Sequence, residues 1–135
     1  MAIFLSNGVV TTLNSVDLSD HVTSCTINRI FDELEVTAMG DTAHKFVKGL
    51  EASTITLDFL NDTAAGEVLA TLQAAWGTTV ALTLKQTDAA TSATNPLYST
   101  TVLVNNTTDI NGAVGDISTQ SITFTCNSPI VITTS

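Results

Sequence analysis

Residues 54–60 alternate cleanly: Ile55, Leu57 and Phe59 are apolar, while Thr54, Thr56 and Asp58 are polar. Successive side chains of a strand point to opposite faces, so this period of two predicts a strand with one buried face. The same reading predicts strands over 9–13, 22–31, 78–86, 97–105, 117–126 and 130–133, about seven in all. In 22–31 the apolar face is Cys25, Ile27 and Phe31, with Ser24, Thr26 and Asn28 opposite. Asn7-Gly8 and Asp17-Leu18-Ser19-Asp20 read as turns, and 88–96 and 106–116 as loops of small polar residues. Residues 32–50 are the least regular stretch, and a short strand over 34–37 followed by a long loop is the expectation.

The period changes once. Val68, Leu69, Leu72 and Trp76 recur at helical spacing after the capping residues Asn61, Asp62 and Thr63, and Gly77 stands where a helix-ending glycine belongs. This predicts one helix over about 63–76, lying across the sheet on a one-sided apolar stripe with Trp76 as its largest anchor. The fold class is therefore mainly β, a β-sandwich or barrel with one flanking α-helix, in a single domain over residues 1–135.

Composition sharpens this picture. Charged residues make up only 13% of the 135, about half the ordinary share, so threonine, serine and asparagine must cover much of the surface. Four basic against thirteen acidic side chains give a net charge of −9, the wrong sign for neutralising phosphates. That balance argues against tight nucleic-acid binding. Met1-Ala2-Ile3-Phe4-Leu5 is too short and lacks the basic start of a secretory signal, and no run reaches the length of a membrane span. A cytosolic protein is expected, in which Cys25 and Cys126 are small buried thiols rather than a disulfide.

No chemistry stands out. His21 and His44 lie in no metal-ligand spacing and read as solvated, and there is no nucleophile elbow, phosphate loop or paired-cysteine motif. Neither a catalytic residue, a metal site nor a cofactor is expected, which argues against an enzyme. Several strands instead carry a neutral second face, as at Thr119, Ser121, Thr123 and Thr125, with little lysine to guard the edges. Closed rings of identical subunits would cover such edges. About eight strands close a barrel that its own side chains fill, and a water-filled channel needs ~16. A pore wall would thus be shared among several chains.

From Asp17 onward the chain resembles the tail tube (major tail) proteins of siphophages, particularly those infecting actinobacteria. The resemblance rests on Asp17-Leu18-Ser19 with His21-Val22, on Asp32-Glu33-Leu34-Glu35-Val36-Thr37-Ala38-Met39-Gly40-Asp41-Thr42, on Phe46 and Gly49-Leu50, on Asn95-Pro96-Leu97-Tyr98 and on Val114-Gly115-Asp116. It implies a structural virion protein, assembled in the host cytoplasm into hexameric rings that stack into a hollow tail for passage of DNA. Its partners would be copies of itself, a tape measure protein, tail terminator or baseplate proteins, and double-stranded DNA that passes without specific binding. It implies no membrane. A long loop between early strands reaches neighbouring subunits in such proteins, which makes Met39, Gly40, Asp41, Thr42, His44 and Phe46 the expected interface. Thr54, Thr56 and Asp58 are candidates to face the lumen, where acidity would repel DNA at close approach within the ~8 Å screening length. The alternatives are a head decoration or tail-completion protein, or a free β-sandwich binding module, which would require an exposed aromatic platform.

Overall fold

The structure, a computed structural model, describes residues 8–135; the Met1 to Leu5 segment and Asn7 of the first turn lie outside the described residues. Ten strands appear among the described residues: β1 (Val10–Leu13), β2 (Val16–Asp17), β3 (Val22–Asn28), β4 (Phe31–Glu35), β5 (Phe46–Glu51), β6 (Thr54–Leu60), β7 (Thr79–Lys85), β8 (Leu97–Leu103), β9 (Thr119–Cys126) and β10 (Val131–Thr133). One α-helix, α1 (Val68–Ala75), lies between β6 and β7, and a 3-10 turn (Ser19–His21) precedes β3.

All pairing is antiparallel. The main sheet runs β2-β1-β7-β8-β9-β6-β3, with β10 also on β8. It folds on itself where β9 changes partners. Along its length β9 pairs with β6, from Thr54 opposite Thr125 to Leu60 opposite Thr119. At its end it meets β8, through Val102 opposite Cys126 and Leu103 opposite Thr125. After the bend at Asn127, Ser128 and Pro129, β10 continues along the same strand, from Val131 opposite Ser99 to Thr133 opposite Leu97. Ser128 fastens the bend, its Oγ accepting the Thr101 amide at 3.0 Å.

The two halves face each other across one core. Ile55, Leu57 and Phe59 of β6, Ile122 and Phe124 of β9, Leu82 and Leu84 of β7, Val102 of β8 and Leu13 of β1 form a single buried cluster. The alternation that predicted these strands is the alternation of burial along β6 and β9. This is a β-sandwich with one flanking helix, as the pattern predicted.

The helix is shorter than expected, starting at Val68 instead of 63. Gly66 sits at φ +80, a left-handed conformation that cannot continue a helix, so the Asp62 cap serves a preceding turn. There its Oδ1 accepts the Ala64 amide at 2.9 Å. Val68, Leu69, Leu72 and Ala75 are buried. Trp76 is not the core anchor the spacing predicted and is 55% exposed. Its φ of −53 is still helical while its ψ of 126 is not, so the helix ends at this residue. Gly77, at φ +77, ends the helix as expected and donates its amide to Val104 at 2.8 Å.

The largest departure lies in residues 32–50. In place of one strand and a long loop there is a separate two-stranded sheet, β4 with β5, joined through residues 36–45. Phe31, assigned by alternation to the core face of the preceding strand, belongs to this hairpin and is 45% exposed.

Candidate self-assembly surface

The hairpin projects as an arm because nothing in its two strands is buried. Its register sets Glu33 opposite Lys48, Leu34 opposite Val47 and Glu35 opposite Phe46. Gly49 allows the strands to close, since a Cβ there would stand 2.8 Å from the Asp32 carbonyl oxygen and 3.0 Å from the Asp32 Cβ. At the tip, Asp41 Oδ2 accepts the Ala38 amide at 2.8 Å and Oδ1 pairs with Lys45 at 2.9 Å, which together hold the Asp41 carboxyl below its ordinary value. His44 bonds Glu35 through Nδ1, and its ring is 6.5 Å from that of Phe46. Gly40 takes φ +90, the conformation this turn requires.

The base is tied to the main sheet. Ala52 donates to the Ile30 carbonyl at 2.7 Å. The Glu51 carboxylate accepts the Ile130 amide at 2.9 Å and the Ser53 hydroxyl at 2.7 Å, and these bonds lower its pKa. The arm is thus fixed at one end and free along its sides.

What it presents is apolar. Among the described residues, eight of the fourteen exposed large hydrophobic side chains lie within residues 30–50: Ile30, Phe31, Leu34, Val36, Met39, Phe46, Val47 and Leu50. Met39 at the tip is fully exposed, and Leu50 is 81% exposed. Single exposed apolar residues are ordinary on protein surfaces, but a cluster of this kind marks an interaction site. Of the six expected interface residues, Met39, Gly40, Asp41 and Thr42 form the tip, with His44 and Phe46 beside it. Phe31, Leu34, Val47 and Leu50 of the strands, and Val36 just after β4, were not among the expected interface residues. Their one signal was a high apolar density without periodicity.

Thr54, Thr56 and Asp58 sit together on the face of β6 opposite the core. With Ser24 and Thr26 of β3 and Ser121, Thr123 and Thr125 of β9 they make a neutral, hydroxyl-rich surface. Thr56 and Thr123 share a hydrogen bond at 3.1 Å across the strands. Asp58 Oδ1 is buried among its neighbours without a hydrogen-bond partner among the described residues.

His21 is not solvated. Its side chain is 18% exposed and clasped by three carboxylates, with Asp20 at 2.8 Å and Glu67 at 3.2 Å on Nδ1 and Asp62 at 3.0 Å on Nε2. Asp20 raises its pKa most, with Asp62 and Glu67 adding to the effect against the opposing cost of burial. The cluster joins the 3-10 turn to the loop before α1. Asp20, His21 and Glu67 offer donor atoms within 4.8 Å of one another, the spacing a cation would need, and each already serves this clasp.

The thiols are free, and both are partly buried. Cys25 pairs with Leu57, which pairs with Ile122, four residues from Cys126. At ~4.8 Å per strand and ~3.4 Å per residue their Cα atoms are about 17 Å apart, well beyond the ~7 Å limit for a disulfide. Burial pushes the Cys25 thiol up to about 11. Among the described residues no helix is long and apolar enough to cross a membrane. No protein-family model matches the chain, and no curated protein matches it.

Proposed function

We propose that this chain is a structural subunit that self-assembles, and that it builds the hollow tail tube of a siphophage from stacked hexameric rings. The observation that carries the reading is the arm. An isolated two-stranded hairpin is marginal in water, and this one also exposes a line of apolar side chains to solvent. A surface from another subunit would remove that cost, and in a homomeric ring every arm meets the same surface.

Two further features support it. β3 ends the main sheet with one edge unpaired by any described strand. The hydroxyl-rich face over β3, β6 and β9 is almost free of charge, in a chain whose net charge is −9. A tube lined by neutral and acidic groups would let DNA slide without holding it. The role requires no catalysis, and the tape measure, terminator and baseplate partners are what the family resemblance implies.

Electron microscopy of negatively stained protein, taken with sedimentation velocity at rising concentration, tests the reading. Rings or hollow tubes are expected. A chain that sediments as a monomer throughout would overturn it.

A further inference from the structure

The unpaired edge of β3 borders a half-open groove of about 830 Å³. Its walls include Val22 and Ile27 of β3, Tyr98 of β8 and Ile132 of β10, and its charges are Arg29 and Lys85. The chain has only four basic side chains. The other two, Lys45 and Lys48, belong to the arm, where Lys45 pairs with Asp41 and Lys48 lies 5.7 Å from the centre of the Phe31 ring. Lys85 donates only to the Ala89 carbonyl, at 2.9 Å, and neither groove cation forms an ion pair among the described residues. A slot lined by apolar and hydroxyl side chains, with two cations that form no ion pair beside an open strand edge, suits an extended, acidic and partly apolar strand.

We infer that the groove receives strand β4 of a second copy of this chain, added edge to edge onto β3. Continuing the sheet would satisfy backbone groups on both strands. β4 is free on the edge away from β5, and its five residues fit within the seven of β3. Its sequence Phe31-Asp32-Glu33-Leu34-Glu35 carries three carboxylates in five residues. Phe31, Glu33 and Glu35 are alternate residues, so Phe31 reaches the apolar wall while Glu33 and Glu35 approach Lys85 and Arg29. Across the whole arm, residues 31–51, five carboxylates stand against two lysines, so its charge opposes that of the groove. This inference rests on the self-assembly proposed above and names the surface on which the arm is seated.

Carbodiimide cross-linking of assembled native protein, prepared from equal parts of ¹⁵N-labelled and unlabelled chains, tests it. The expected product is a mixed-isotope peptide joining Lys85 to Glu33 or Glu35. Lys85→Glu should raise the concentration needed for assembly at least tenfold, and adding Glu33→Lys should bring it back. Arg29→Glu, at an exposed position, provides the same test if Lys85→Glu does not fold. Assemblies in which Lys85 links to residues outside the arm, or to the arm of its own chain only, would overturn the groove assignment and leave self-assembly standing. Unchanged assembly in both charge reversals would do the same. A chain that never assembles would overturn both.

Discussion

The main sheet and the arm are built from the same chemistry, antiparallel strands rich in β-branched and aromatic residues, yet they stand in opposite relation to water. In the sheet Leu57, Phe59, Ile122 and Phe124 are fully buried. In the arm Phe31, Leu34, Phe46 and Val47 are each about half exposed. Burial of apolar area is the dominant favourable term in folding, so the sheet is stable by itself. The arm keeps its shape through local bonds at its tip and base and leaves its apolar area unspent. Such a region is read as one half of a contact.

The widest separation between the regions should come from core truncation. Phe124→Ala is expected to destabilise the whole chain by about 3–5 kcal/mol, visible as a single large drop in the denaturant midpoint. Phe46→Ala in the arm should barely move that midpoint, and an equal drop there would mean that the arm belongs to the core. Gly49→Val comes next. Its side chain has no room against Asp32, and overpacking of this kind costs about 1–3 kcal/mol, confined to the arm. Hydrogen exchange should show amides of β4 and β5 losing protection while those of β6 and β9 keep theirs.

The clasp around His21 sharpens the comparison from the side of the sheet. Its folded pKa lies above the ordinary 6.5, so its stabilising contribution is complete below 6.5 and is lost as pH rises through the raised value. The denaturant midpoint of the native chain should fall over that interval, and His21→Ala should remove this component. A slope that persists in the variant would assign it to other groups. The smallest effect on the fold is expected from Met39→Asp. The fully exposed tip should tolerate it within about 0.5 kcal/mol, while rings and tubes disappear in the microscope. Normal assembly of that variant would remove the tip from the interface.

The legibility of each region follows from the same difference. Strands β6, β7 and β9 were readable because one face is buried and the other is not, and that asymmetry writes a period of two into the residues. The helical stripe from Val68 to Leu72 was readable for the equivalent reason, while Trp76 misled because it continues the spacing yet stands at the end of the helix, 55% exposed. Residues 32–50 carried no period because neither face of the hairpin is buried within the chain. The expected interface at Met39 to Phe46 was placed by resemblance, and its strand residues other than Phe46 came to light only with the structure.

By itself, then, the sequence determined most strands of the sandwich, the core faces of β6, β7 and β9, the helical stripe up to Leu72 and the acidic, neutral-faced surface, because all of these are local consequences of one-sided burial and composition. Only the tertiary structure decided that β9 leaves β6 to meet β8, that Asp20 and His21 close on Asp62 and Glu67, and that Arg29 and Lys85 line one groove beside an open edge. These are meetings of residues distant in the chain. They are set by register and by the bend of the sheet, which no local pattern of side chains encodes.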